Sequence, residues 1–245
     1  MPFSYAGYIQ LLNLLKECGY EIANYHNWKE YSKCVILRHD VDNDMAQALS
    51  MARIEYEQCI KSTYFVLLTS NFYNLYSYRN RDMLKEIKDM GHMIGLHFDE
   101  TAYAKNIGEV EQTTRNIKKE LNILSEMVQD DVTVFSYHRP TKAVLDAEIT
   151  IEKVVNSYDN IFFRQFKYLS DSRMYWREPV ANIIREEMYF RLHILTHPIW
   201  YHDEEIDMGS ILNGFIKGAC TERYNDLNDN FTNLDEIIDK RGIGL

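Results

Sequence analysis

The sequence predicts an α/β fold in which parallel strands alternate with helices. Short apolar runs, typical of buried strands, alternate along the chain with segments whose apolar residues recur at helical spacing. Polar side chains follow several of these runs directly, as they do at the carboxyl ends of strands in parallel βα folds. No repeat or linker divides the 245 residues. We therefore expect one domain over residues 1–245, built as a βα barrel or a doubly wound sheet.

The elements are expected in a regular order. Gly19 and Gly91 each follow a helical pattern, where glycine commonly closes a helix. Asn43 and Asp44 precede another helical pattern as possible caps. The apolar patterns predict helices at 9–18, 45–56, 82–90 and 110–128, and strands at 34–37, 63–68, 93–97, 132–137, 160–163 and 188–195.

Composition excludes several classes of function. Acidic residues outnumber basic ones by 37 to 27, and no basic cluster offsets them, so we expect no binding to nucleic acid or to anionic lipid. The longest apolar stretch, 64–68, is far shorter than the roughly 20 residues of a membrane helix. The four cysteines show no CxxC spacing, and no signal peptide pattern is found. We expect a cytoplasmic protein with a small or weakly charged substrate.

The densest group of ionisable residues is Arg38, His39, Asp40 and Asp42, directly after an apolar strand. Such density is costly in a core. Asp42 alone could be a helix cap, but two carboxylates one residue apart can divide the work of a hydrolytic site. One can ligate a metal while the other takes a proton from the attacking water. The pair therefore favours a catalytic site over a structural one.

Histidines stand at the ends of three other predicted strands. His97, His138 and His197 each lie where a ligand or proton donor belongs, whereas His92 follows a helix-closing glycine and is typical of a structural histidine. Three histidines and two aspartates at strand ends together indicate a catalytic site.

In their order along the chain, these motifs resemble the NodB-type polysaccharide deacetylases, carbohydrate esterase family 4, over residues 35–200. The family implies a distorted (β/α) barrel with a divalent metal, usually zinc. More narrowly, the sequence resembles an uncharacterised branch associated with bacterial surface-polysaccharide synthesis. The resemblance is carried by 38–42, Gly-His-Met-Ile-Gly-Leu-His at 91–97, Tyr-His-Arg-Pro at 137–140, Asp171 with Trp176 and Arg177, and Leu-Thr-His at 195–197.

The resemblance also implies roles for single residues. Asp40 matches the general base, Asp42 the metal-ligating aspartate and His97 the first metal histidine. His197 matches the general acid. Asp171, with Arg177, matches the group that orients the base.

Thr101 stands where the family has its second metal histidine. A third ligand must then come from elsewhere, with His138 the first choice and Asp99 the second, or the metal has been lost. Arg139, in the Arg-Pro element, is expected among the catalytic residues.

The activity implied is removal of an N-acetyl group from an amino sugar or glycan precursor. Two alternatives stay open at this point. One is a non-catalytic member that binds carbohydrate or a partner, and the other is a hydrolase of cyclic imides or ureides, as in allantoinase-like relatives.

Overall fold

The computed structural model describes residues 1–239, except for the side chains of residues 104–106. The chain divides into two compact units, 1–204 and 205–245. The first contains the sheet and the second, as far as it is described, is helical. The single domain expected for 1–245 stays a prediction.

The elements alternate as the apolar pattern predicts. The strands are β1 (Glu21–Ala23), β2 (Cys34–Val41), β3 (Thr63–Val66), β4 (Met93–Asp99), β5 (Val134–His138), β6 (Val155–Asn156), β7 (Lys167–Ser170) and β8 (Arg191–Thr196). The helices of the first unit are α1 (Tyr5–Glu17), α2 (Met45–Glu57), α3 (Tyr78–Asp89), α4 (Val110–Val128), α5 (Lys142–Asp146), α6 (Asn160–Arg164) and α7 (Val180–Arg185). The second unit contains α8 (Met208–Asn228) and α9 (Leu234–Ile237). Within residues 1–239 no helix combines the length and the apolar character that crossing a membrane requires.

The sheet is parallel and curls into a half-barrel in the order β6, β5, β4, β3, β2, β8, β7. β1 pairs with the first half of β2, and β3 with the second half. The α/β class and the distorted barrel expected from the sequence are thus confirmed. Since all these strands run in one direction, their carboxyl ends lie at one edge of the sheet.

Alternating side chains of the strands pack on opposite faces of the sheet. Val35, Leu37 and Tyr64 belong to the clusters that the helices cover, whereas Ile36 and Phe65 belong to a cluster inside the barrel. β2 is consequently buried at all eight positions, including its charged ones.

The residue that caps the N-terminus of α2 is Asp44. The side chain of Asp44 accepts hydrogen bonds from the backbone N–H groups of Ala46 and Gln47, over 2.8 and 3.1 Å, and so caps the helix. Asp42 is therefore not the cap, and its carboxylate is available to the site.

The prediction of a strand at 160–163 is wrong, because this segment forms helix α6. The Asp159 carboxylate accepts the N–H of Ile161 over 2.9 Å and caps the first turn. Phe162 is buried inside the barrel against Tyr25 and Phe166. A short apolar run of this kind satisfies a strand and a buried helical turn equally well, and the cap decides between them.

Candidate active site

Arg38 and Asp40 lie on the face of β2 that points into the barrel, since residues two apart on a strand share a face. Arg38 Nη2 donates to Asp40 Oδ1 and Oδ2 over 2.9 and 2.7 Å, and Nε donates to Oδ1 over 3.0 Å. Both residues are buried. Burial alone would raise the pKa of the Asp40 carboxyl, but the Arg38 guanidinium holds it below its usual value. Asp40 is thus an ionised carboxylate at neutral pH.

The guanidinium of Arg38 is itself held from several sides. It donates to Ser157 Oγ over 3.1 Å and to Ser136 Oγ, and it lies 5.0 Å from the ring centroid of Phe65 and 5.5 Å from that of Tyr158. These contacts fix the orientation of Asp40, whose Oδ2 lies 3.6 Å from His97 Nε2.

Gly95 of β4 makes room for this arrangement. A Cβ atom there would lie 2.6 Å from the Phe65 ring and 3.1 Å from Val134 Cγ1. Only glycine allows the ring to lie this close to the strand. The absence of a side chain at Gly95 therefore allows the Phe65 ring to lie where Arg38 packs against it.

Three potential metal-ligating atoms converge where β2, β4 and β5 end. Asp42 Oδ1 lies 3.1 Å from His97 Nε2 and 3.2 Å from His138 Nδ1, and the two nitrogens are 3.3 Å apart. Ligands at 2.0–2.1 Å on a tetrahedral zinc are separated by about 3.3 Å. Asp42 Oδ1 is buried and forms no hydrogen bond of standard geometry with the described residues, so it is available to a cation. One carboxylate and two imidazoles thus fit a divalent metal ion.

The second choice for a third ligand, Asp99, is engaged elsewhere. Its Oδ1 accepts the backbone N–H and the hydroxyl of Thr101, over 2.9 and 2.7 Å, at the start of a short 3-10 helix, Glu100–Asn106. His138 is the cross-strand partner of Asp99, so it approaches His97 from the neighbouring strand. The convergent set is therefore Asp42, His97 and His138.

His197, after β8, is oriented by Asp171, after β7. The carboxylate of Asp171 is fully buried and accepts from His197 Nδ1 over 2.6 Å, from the His197 backbone N–H over 3.0 Å and from the Tyr201 hydroxyl over 3.1 Å. Burial alone would lower the pKa of His197, but Asp171, aided by Asp40 and Asp42, raises it to about 9. Its Nε2 lies 3.9 Å from Asp42 Oδ2. The site therefore contains an imidazolium beside the ionised carboxylates.

Asp171 and Arg177 lie differently from what the resemblance implies. Asp171 was expected to orient the base, but it contacts His197, and Arg38 contacts Asp40 instead. Arg177 is exposed. Arg139 is also exposed, and its backbone adopts the left-handed conformation with φ 53°. Its guanidinium forms no hydrogen bond or ion pair with the side chains that the structure describes.

Arg139 nevertheless lies at the edge of the site. Burial alone would lower the pKa of His138, Asp42 raises it above its usual value, and the charge of Arg139 opposes that rise. The segment after it is anchored by the buried Glu100 carboxylate, which accepts the Thr141 backbone N–H over 2.9 Å.

The contacts that Arg38, Ser136 and Tyr201 make in the site were not predicted from the sequence. For Arg38 a signal was present, because a strand residue two positions before a carboxylate shares its face. For Ser136 and Tyr201 there was none, because their contacts join residues distant in sequence.

No protein-family model matches the sequence, and no curated protein matches it. Solved structures that match with probability 1.00 include deacetylases of the kind that the sequence motifs resemble. A Streptococcus pyogenes deacetylase solved with acetate is 19% identical, with a TM-score of 0.43 over 56% of this chain and 64% of its own. The catalytic domain of a peptidoglycan N-acetylglucosamine deacetylase from Eubacterium rectale is 15% identical, with a TM-score of 0.47 over 83% and 90%. A CE4 family pseudoenzyme from Bacillus anthracis is 14% identical, with a TM-score of 0.45 over 76% and 62%.

The match spans less than two thirds of the S. pyogenes chain and of the B. anthracis chain. A fold does not by itself specify an activity. Function therefore has to be inferred from the side chains at the edge of the sheet.

Proposed function

We propose that this protein is a metal-dependent carbohydrate N-deacetylase that removes an acetyl group from an amino sugar or glycan precursor. One observation carries the proposal: a carboxylate and an imidazolium flank three convergent ligand atoms. Asp40 Oδ2 lies 3.6 Å from a ligand nitrogen of His97, and His197 Nε2 lies 3.9 Å from a carboxylate oxygen of Asp42. An ionised base beside a protonated acid is the pairing that hydrolysis of an amide requires.

Asp42, His97 and His138 would hold the metal, and their chemistry favours zinc. A divalent ion bound there would supply Lewis acidity toward the substrate carbonyl and make the attacking water more acidic. The chain itself places the three ligands on separate strand ends, so the sheet presets their spacing.

Asp40 would act as the general base. Arg38 contacts Oδ1 through Nε and Nη2 and one side of Oδ2 through Nη2, which leaves the remaining lone pair of Oδ2 to accept a proton from water. Because Arg38 keeps the pKa of Asp40 low, the carboxylate is available as a base across the neutral range.

His197 would act as the general acid. Asp171 holds its Nδ1–H and so leaves Nε2–H to protonate the nitrogen of the departing amine. The carbonyl carbon gains the oxygen of water, the C–N bond breaks, and acetate and a free amino sugar result. Asp171 supports this role by raising the pKa of the imidazolium.

Arg139 is proposed to contact the substrate. It follows the ligand His138 directly, is exposed, and has no partner among the described side chains that would compete with a substrate. We also propose that the protein is cytoplasmic, which is supported by its four cysteines all being free. We propose that its substrate is a precursor of a surface polysaccharide.

Acetate release tests the proposal. Purified protein loaded with zinc is assayed on N-acetylglucosamine oligomers, on a nucleotide-linked N-acetyl amino sugar and on allantoin, with Asp40→Asn as the inactive control. We expect acetate from an N-acetyl substrate, lost on chelation and in Asp40→Asn. Hydrolysis of allantoin alone would favour the cyclic ureide alternative, and metal-loaded protein that binds oligomers without acetate release would favour the non-catalytic one.

A further inference from the structure

A second buried polar network lies behind the site, on the opposite face of β2. His39 is fully buried and points away from Arg38 and Asp40, since neighbouring strand residues alternate in direction. Its Nε2 lies 3.0 Å from Glu55 Oε1 and its Nδ1 lies 2.7 Å from Thr196 Oγ1. Its ring stacks on that of Tyr64, with centroids 4.4 Å apart. The imidazole is therefore held by both nitrogens and by one face.

Glu55 of α2 anchors this network. Its carboxylate is fully buried and accepts from the hydroxyls of Tyr8, Ser62 and Tyr64 over 2.6, 2.6 and 2.7 Å. Burial alone would raise the pKa of Glu55, but His39 and the other donors lower it to about 2. An ionised carboxylate only accepts hydrogen bonds, so His39 Nε2 carries the hydrogen in this contact.

The other nitrogen of His39 reaches the strand of the proposed acid. His39 and Thr196 are cross-strand partners, and theirs is the last pair of the β2 and β8 ladder. The next residues along these strands are Asp40 and His197. The side-chain contact between His39 and Thr196 is thus the last link between the strands before the base and the acid.

We propose that His39, anchored by Glu55, is a positioning residue that fixes the spacing between Asp40 and His197 through Thr196. The inference rests on the proposed function, because that function gives Asp40 and His197 their roles. His39 lies on the face of β2 opposite to Arg38 and Asp40. It acts by holding the two strand ends at one separation.

A pair of substitutions at Thr196 isolates the contact. Thr196→Val removes the hydroxyl and keeps the shape, whereas Thr196→Ser keeps the hydroxyl. Ser62→Ala is the matched control, because it removes a donor from the same Glu55 carboxylate without touching the contact between His39 and Thr196. We expect Thr196→Val to lower kcat by about 10-fold to 100-fold with KM and zinc content unchanged. Thr196→Ser and Ser62→Ala are expected to retain most of the kcat.

A second measurement does not depend on enzymatic turnover. With ¹⁵N-labelled histidine, NMR measures how fast the Nδ1 proton of His197 exchanges with water. We expect faster exchange in Thr196→Val than in the wild type, Thr196→Ser and Ser62→Ala. Thr196→Ala replaces Thr196→Val if the latter does not fold.

The two readouts separate the inference from the proposed function. Wild-type protein without acetate release, together with faster exchange in Thr196→Val, would refute the proposed function and support the positioning contact. Active wild type with kcat and exchange unchanged in Thr196→Val would overturn the inference. Equal losses in Thr196→Val and Ser62→Ala would also overturn it, since a general loss of rigidity would then explain both.

Discussion

His197 is held twice by Asp171: its Nδ1 lies 2.6 Å from Oδ1, and its backbone N–H donates to Oδ2 over 3.0 Å. The side chain and the backbone of one residue thus share one buried carboxylate. Rotation of the imidazole would break the Nδ1 contact, and a shift of the backbone would break the N–H contact, so Nε2 keeps one direction. Oriented in this way, His197 is suited to donate a proton at a defined place.

Replacing Asp171 by asparagine should lower the pKa of His197. Asp171 is the main group that raises this pKa, so in the metal-free Asp171→Asn variant we expect it to fall from about 9 toward its ordinary value. NMR titration of the His197 ring measures it directly. In the active enzyme the alkaline limb of the pH–rate profile should shift to lower pH. Asp99→Asn is the control, and a His197 pKa that stays near 9 in Asp171→Asn would contradict the assignment.

The stability of the metal-free protein should depend on pH through the same group. The pKa of His197 is raised from 6.5 in the unfolded chain to about 9 in the folded one. Its contribution to the free energy of unfolding is therefore full below pH 6.5 and is lost as the pH rises through 9. The loss amounts to about 3 kcal/mol at most. Urea unfolding at a series of pH values checks this, and His197→Gln should remove that part of the pH dependence; an equal decline in the variant would assign it to other groups.

Metal binding should require Asp42, His97 and His138 but not Asp99. Alanine at any of the three removes one of the convergent ligand atoms, and we expect zinc affinity to fall by more than about 100-fold. Asp99→Ala should bind zinc as the wild type does, because Asp99 caps the segment at Thr101. Elemental analysis and competition with a chelator measure both. Unchanged affinity in His138→Ala, or its loss in Asp99→Ala, would transfer the third ligand to Asp99.

Substitution of Asp40 and substitution of Asp42 should impair different properties, turnover in the first case and metal binding in the second. Asp40→Asn keeps the shape of the side chain but cannot accept the proton, so we expect turnover to fall by about 10²-fold to 10⁴-fold with the metal retained. Asp42→Asn should lose the metal. Metal content and kcat, measured on the same samples, distinguish them. Release of metal by Asp40→Asn with retention by Asp42→Asn would reverse the two roles.

Gly95→Ala should destabilise the protein although alanine is a small residue. The added Cβ would meet the Phe65 ring at 2.6 Å, and overpacking of this kind costs about 1–3 kcal/mol in the free energy of unfolding. Phe65→Leu in the same chain should recover part of the loss by shortening the side chain. Gly214→Ala, at a helical position with nothing within 4 Å, serves as the control. Equal stability of Gly95→Ala and wild type by urea unfolding would show that the ring moves aside without cost.

The sequence by itself determined the alternation of strands and helices. It also determined that the candidate catalytic side chains lie at the carboxyl ends of the strands. Apolar periodicity is a local property, so α4 was predicted at its observed bounds, 110–128, and β4 within two residues. Asp42, His97 and His138 were predicted at strand ends for the same reason. The segment 160–163 was predicted wrongly because four apolar or neutral residues are too few to show a period, and the cap at Asp159 outweighs them.

Only the tertiary structure decided which of these residues face one another. Asp171 and His197 are 26 positions apart, and they meet because β7 lies beside β8. Asp99 and His138 were both available as third ligands until the pairing of β4 with β5 placed His138 Nδ1 3.3 Å from His97 Nε2 and the local turn engaged Asp99 with Thr101. Strand neighbours and side-chain directions depend on packing between distant segments, which carries no local pattern. The sequence therefore determines which residues reach the site, and the packing of the strands determines what each one contacts.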